Sequence, residues 1–194
     1  MKSMLSAGRP SVADVERFLR RQERLAFSYA PVGGTRDRAP AGFNVDHHRI
    51  QLGRGEAAFE RAVAAVRRWE MFNIGWVTLC RPETPIEAER AVGVLVRLPG
   101  LWSLNACRIV YVTDEEGGDV RRFGFAYGTL ADHMEAGEER FMVEWRREDG
   151  SVWYDLLAFS IPRHPLARLA APLSRRLQRR FARDSLQAMM RAVA

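Results

Sequence analysis

Apolar and polar residues alternate through four consecutive runs in the second half of the chain: Cys107–Thr113, Arg121–Leu130, Glu138–Arg146 and Ser151–Ile161. A period of two places successive side chains on opposite faces and predicts β-strands. Glu116-Gly117-Gly118-Asp119 and Glu148-Asp149-Gly150 separate two of the pairs, and such residues close hairpins. Val45–Leu52, Gly75–Leu79 and Ala91–Leu98 read as earlier strands, and Leu101–Asn105 leads into the meander. Gly53 and Gly55 end the first of these, and Pro82 and Pro85 the second.

Helical spacing governs three other stretches. In Ser11–Ala26 the apolar positions are Val12, Val15, Phe18, Leu19 and Leu25, with Ser11 and Asp14 spaced as a capping box. In Glu56–Phe72, Phe59, Ala62, Val63, Val66 and Trp69 mark one face. Pro165–Ala194 is the long C-terminal helical region. Leu166 and Leu169 precede Pro172, which kinks the helix or starts a new one. Beyond it Leu173, Leu177, Phe181, Ala188 and Ala192 form a stripe opposite Arg175, Arg176, Arg179, Arg180 and Arg183. Phe27–Phe43, with its prolines and glycines, is a loop whose three aromatics make it pack down.

An antiparallel sheet hides one face under other elements. The predicted fold is α+β: a curved antiparallel sheet of about seven strands gripping the long C-terminal helix. Residues 1–26 form an N-terminal helical extension, and 27–194 form a single helix-grip domain. That layout leaves an apolar cavity between sheet and helix.

The chain's 194 residues, 47% hydrophobic and 28% charged, suit one folded domain. No apolar run approaches the ~20 residues needed to span a bilayer. Met1–Pro10 lacks a signal-peptide core, which points to the cytoplasm. Cys80 and Cys107 fit no metal spacing and read as free thiols. The net charge of +6 comes from arginine, since Lys2 is the one lysine. The arginine stripe reads first as a solvated helix face. Binding of RNA or anionic lipid through it is an alternative, although only Phe181 lies nearby to stack a base.

Several motifs together resemble a known family. They are Phe27-Ser28-Tyr29 with Val32-Gly33, Thr35 and Gly42-Phe43; Trp69-Glu70-Met71-Phe72 with Gly75-Trp76; and Asn105-Ala106-Cys107-Arg108. Gly124–Leu130 (GFAYGTL), His133, Gly137–Phe141 (GEERF), Val152-Trp153-Tyr154 and Phe159-Ser160 continue them. From about Phe27 onward the chain resembles a family of bacterial and plant proteins defined as a domain of unknown function. Its element order is similar to the START/Bet v 1-like (SRPBCC-type) superfamily, which implies binding of lipids or other hydrophobic ligands. The resemblance implies no catalytic residues.

Candidate chemistry concentrates between two meander strands. Alternation puts Phe123, Phe125, Tyr127 and Thr129 on one face of the first, and Glu139, Phe141, Val143 and Trp145 on one face of the next. Glu139 among aromatics needs a partner, for which Arg108 and Arg140 are candidates. Tyr127, His133 and Glu139 are candidate acid–base groups. The competing reading is a structural ion pair, with His133 in a solvated turn. Tyr29, Arg108, Phe125, Tyr127, Thr129, Glu139, Phe141 and Trp153 are the predicted ligand-binding set. Binding of a small hydrophobic or amphipathic molecule is preferred to catalysis, with a cyclase or isomerase activity as the alternative. Neither a cofactor nor a metal is expected. The adjacent His47 and His48 fall on opposite faces of their strand. Gly33-Gly34-Thr35-Arg36 offers backbone N–H groups to an anion, but no P-loop lysine follows it.

Overall fold

The computed structural model describes residues 4–165, 169 and 171–194. Its strands are β1 (Met4–Ser6), β2 (Asn44–Arg54), β3 (Val77–Cys80), β4 (Ala91–Leu98), β5 (Leu101–Glu115), β6 (Val120–Thr129), β7 (Glu135–Arg146) and β8 (Ser151–Pro162). The helices are α1 (Val12–Gln22), α2 (Glu56–Arg67) and α3 (Ala171–Val193), with one 3₁₀ turn at Glu70–Phe72. The sheet order is β2-β8-β7-β6-β5-β4-β3, every pairing is antiparallel, and β1 adds to β5. The curled sheet and long C-terminal helix match the predicted helix-grip arrangement. Leu166 lies outside the described residues, and Leu173 is 50% exposed rather than part of the apolar stripe.

Both faces of the sheet are covered, not one. The inner face carries Ile109, Phe125, Phe141, Val143, Tyr154 and Leu156 against α2, the 3₁₀ turn and the C-terminal half of α3. On the outer face, Leu95, Leu104 and Ala106 meet Val15, Phe18 and Leu19 of α1. Tyr29, Phe43 and Phe159 form a second outer cluster beneath the loop 28–43. Phe159 holds the other two rings edge-on at 5.7 and 5.2 Å. The central strands therefore present apolar residues both ways, and each face requires its own cover.

Two local departures from the sequence pattern have clear causes. The second helix ends at Arg67, short of Phe72, because Trp69 adopts a left-handed backbone with φ of 58°. That turn sets its ring 4.8 Å from Phe125 and lets Nε1–H donate to the Thr84 carbonyl at 2.9 Å. In β5 the register shifts between Ile109 and Tyr111. The bulge reverses the alternation, so Ile109 faces inward while Tyr111 reaches the outer loop.

The outer loop is fastened by one buried carboxylate. Glu138, 2% exposed, accepts hydrogen bonds from Tyr29 Oη at 2.6 Å, Gly33 N at 2.7 Å and Thr35 N at 2.9 Å. Thr35 Oγ1 donates to it as well, and Tyr111 Oη lies 2.8 Å from that hydroxyl. The Gly33–Arg36 segment thus cradles an anion, and the anion is the chain's own. Burial, then the adjacent carboxylate, pushes the Tyr29 pKa well above its ordinary value, so its hydroxyl stays a donor. Tyr29 crosses directly over Gly128, where a Cβ would sit 2.2 Å from its hydroxyl.

Removing the charge from a buried, fully bonded carboxylate strands its donors, at about 3–5 kcal/mol. Glu138→Gln is expected to lower the unfolding free energy by about that much in urea titrations. A loss under about 1 kcal/mol, the size of a surface interaction, would show that the cradle is not what holds the loop.

Candidate functional site

A cavity of about 260 Å³ lies between the inner face of the sheet and the N-terminal half of α3. Val94, Val96, Trp76, Leu156, Leu177 and Phe181 supply apolar wall. Farther along α3 the core closes, with Ala182, Leu186 and Met189 buried and Ser185 Oγ 3.2 Å from Tyr154 Oη. The cavity persists at the other end because that end is lined largely by short or polar residues, among them Ser103, Asn105, Thr129 and Ser174.

Tyr127, Thr129, His133 and Glu139, from the predicted set, converge on this cavity. Tyr127 and Glu139 are directly opposite on β6 and β7, and Tyr127 Oη donates to Glu139 Oε2 at 2.8 Å. Among the described residues, no arginine or lysine is bonded to Glu139. Arg140, its neighbour on β7, points to the other face and binds Asp155 Oδ1 at 2.8 Å and the Thr35 carbonyl at 2.9 Å. Arg108 also lies on the outer face, donating to the carbonyls of Glu23 at 2.8 Å and Leu25 at 2.7 Å beneath α1. Neither predicted partner reaches Glu139, because both fall at positions of opposite parity.

The rest of the predicted binding set lies elsewhere. Phe125 and Phe141 stack at 5.1 Å inside the closed core. Tyr29 belongs to the Glu138 cradle. Trp153 lies on the outer face, its indole under Arg49 at 5.2 Å. Asp155 is a buried outer-face acid held by Arg140, Arg49 and His47. His47 and His48 divide as alternation requires, His47 toward Asp155 and His48 into the cavity. His133 is not in a solvated turn: it lines the cavity, with Nδ1 2.9 Å from the Glu135 N–H and 3.0 Å from the Glu135 carbonyl oxygen.

Sequence reasoning missed Asp46, Glu135 and Arg175. Asp46 shares the parity of His48, Ile50 and Leu52, so the period of β2 was a usable signal. Arg175, read as part of a solvated stripe, instead clamps Asp46 through two bonds of 2.5 and 2.7 Å. Arg180 and Arg183 engage Asp184. Among the five arginines only Arg176 and Arg179 have no carboxylate partner among the described residues.

Burial dominates the electrostatics. It pushes the Glu139 carboxyl up to about 7, with nearby Asp46 adding to the effect and the Tyr127 hydroxyl opposing it. It also raises Glu135, against the Ser174 and Ser160 hydroxyls and Arg175. The same desolvation drives His133 down to about 4, keeping the imidazole neutral near pH 7. A carboxyl near neutrality beside a phenol can hold or release a proton in working conditions. Among the described residues, no group of three or more His, Cys, Asp or Glu is placed to hold a metal ion.

The family model described as a domain of unknown function, DUF1990, matches residues 28–188. The chain belongs to the DUF1990 family. Its relatives include UPF0548 proteins of Deinococcus radiodurans, 40% identical over 94% of this chain and 96% of the relative, and of Dictyostelium discoideum, 37% identical over 95% and 94%. Among solved structures, this DUF1990 chain is similar to a hypothetical protein of Helicobacter pylori, with a TM-score of 0.51, 10% identity, and coverage of 87% of this chain and 99% of that one. Human STARD10 aligns at a TM-score of 0.44 and 12% identity, covering 96% of this chain and 80% of that one. Ara h 8.0201 aligns at 0.46 and 11%, covering 78% and 98%. The architecture, a curled antiparallel sheet with a long C-terminal helix, is the one its element order implied. Among the described residues, no helix of this DUF1990 protein is long and apolar enough to cross a membrane.

The opposed shifts of Glu139 and His133 give a pH test. Glu139 rises from 4.5 to about 7 on folding, so the native state holds its proton longer and its stabilising contribution is lost as pH rises from about 4.5 to 7. His133 falls from 6.5 to about 4, so its contribution is lost as pH drops from about 6.5 to 4. Relative to wild type, Glu139→Gln should gain about 2–3 kcal/mol of unfolding free energy between pH 4.5 and 7.5. His133→Asn should lose a similar amount over pH 4 to 7. Urea titrations across that range measure both, and parallel curves for wild type and variants would refute the buried-cavity electrostatics.

Proposed function

We propose that the protein binds a small amphipathic molecule in the cavity between the sheet and α3. The observation carrying this reading is the void itself: about 260 Å³ of unfilled space in an otherwise closed core, apolar on its walls and bearing a Tyr127–Glu139 pair. Its volume falls just below the ~300–1,000 Å³ usual for small-molecule sites, which suits a compact ligand. Burying ~150 Å² of apolar ligand surface contributes roughly 4 kcal/mol, and association costs offset much of that. Useful affinity then depends on the polar groups, and Tyr127, His133 and Glu139 are the residues assigned to orient the ligand.

A second reading is acid–base catalysis of the cyclase or isomerase type in the same cavity. The observation favouring it is Glu139, a carboxyl brought up to about 7 and hydrogen-bonded to Tyr127. Binding of anionic polymers or lipids by the C-terminal arginines has weaker support, because Arg175, Arg180 and Arg183 are already engaged with acids.

Native mass spectrometry of the purified full chain, followed by organic extraction, tests the binding reading. A retained small molecule is expected, and Leu177→Trp, which projects an indole into the void, should abolish it while leaving the melting temperature within a few degrees. An extracted compound that the protein then converts, with conversion lost in Glu139→Gln, would establish the catalytic reading. Undiminished retention by Leu177→Trp would place the ligand outside this cavity.

A further inference from the structure

Buried carboxylates elsewhere in this protein are compensated. Glu138 has four hydrogen-bond donors. Asp155 has Arg140, Arg49 and His47. Asp46, at the cavity, has Arg175 gripping both its oxygens. Two cavity acids break the pattern. Glu139 receives one neutral phenol on Oε2, and its Oε1 has no hydrogen-bond partner among the described residues. Glu135 also lines the cavity; the Ser174 and Ser160 hydroxyls bond to it, but its Oε2 is buried with no hydrogen-bond partner among the described residues. Leaving carboxyl groups without a base in an apolar enclosure costs several kcal/mol per ionised group.

The bases within reach do not repair this imbalance. Arg175 is committed to Asp46, and His133 is held neutral by burial with its Nδ1 engaged by the Glu135 backbone. The Tyr127 hydroxyl is already donated to Glu139. Apart from the imidazoles of His48 and His133, the described residues lining the cavity supply acids and no base, which disfavours fatty acids, phosphates and other anions. An ammonium group supplies a positive charge and three donors in one compact head.

We propose that the cavity selects a ligand with a basic nitrogen, a protonated amine on a small apolar or aromatic body, and that Glu139 is its counter-ion. This inference rests on the reading of the cavity as a ligand site. The ammonium sits at Glu139 Oε1, with Glu135 as a second acidic neighbour. The apolar body lies against Leu156, Leu177 and Phe181. The titratable groups around Glu139 and its cavity are Asp46 and His48 from β2, Cys107 from β5, Tyr127 from β6, His133 from the β6–β7 turn, Glu135 from β7 and Tyr154 from β8, with Arg175 of α3 bound to Asp46. On acidification, protonation of Glu139 and Glu135 removes negative charge from the cavity, so each weakens cation binding.

Calorimetric titration of the full chain with three probes of matched body tests the charge selectivity: phenethylamine, phenethyl alcohol and phenylacetate. At pH 8 the amine should bind at least tenfold tighter than the alcohol, and phenylacetate more weakly than either. The amine's advantage should shrink severalfold or more at pH 5.5. Glu139→Gln should bring the amine to the alcohol's affinity, and continued alcohol binding shows that this variant is folded. Leu177→Trp should block both probes. An alcohol bound as tightly as the amine, or an amine preference that survives Glu139→Gln, overturns the inference and leaves the cavity reading standing, whereas amine binding that survives Leu177→Trp overturns both. Binding by none of the three probes overturns both.

Discussion

The Glu138 carboxylate is the constraint on which the outer half of the molecule depends. A buried anion must be satisfied in full, and the loop 28–43 supplies donors from Tyr29, Gly33 and Thr35 to do so. Satisfying it draws the loop onto β7, seats Tyr29 against Phe159 and across Gly128, and links Thr35 to Tyr111. The bulge in β5 that turns Tyr111 outward belongs to the same arrangement. The Phe27-Ser28-Tyr29, Gly33-Gly34-Thr35 and Gly137-Glu138-Glu139-Arg140-Phe141 motifs are thereby parts of one structural device.

Glu139, the next residue, has the opposite fate. A single step along a strand reverses the face, so two adjacent carboxyl groups face different surroundings. Glu138 looks outward into a complete set of donors, and Glu139 looks inward to one phenol and a void. The fold fastens one side of the sheet permanently and leaves the other incomplete. Incomplete electrostatics beside an apolar cavity is an arrangement that a ligand could finish.

Period-two alternation made most of the sheet legible from sequence, as with β4 at Ala91–Leu98 and the four meander strands. It also placed Phe125, Tyr127, Glu139 and Phe141 together on one face. The Ser11–Asp14 capping box formed as its spacing implied. Alternation does not show which side of each strand is inner: Arg108 and Trp153 lie on the outer face, and Tyr29 belongs to the Glu138 cradle. The division of the core was also hidden: Phe125 and Phe141 share parity with Tyr127 but lie deeper, where α2 and α3 leave no space. Asp46 and Arg175 are far apart in sequence, and only the tertiary fold brings them together at 2.5 Å. The early end of α2 depends on the backbone of Trp69, which helical periodicity does not encode.

The central claim is that Glu139 sits half-buried in an unfinished site, whereas Glu138 is sealed in a finished one. Carboxyl ¹³C NMR of the ligand-free protein across a pH titration measures this at Glu139 directly. The account predicts a Glu139 midpoint near 7, raised by burial. A Glu139 midpoint in the ordinary range near 4.5 would mean that its carboxyl is bathed in bulk water, and the ligand site would be contradicted.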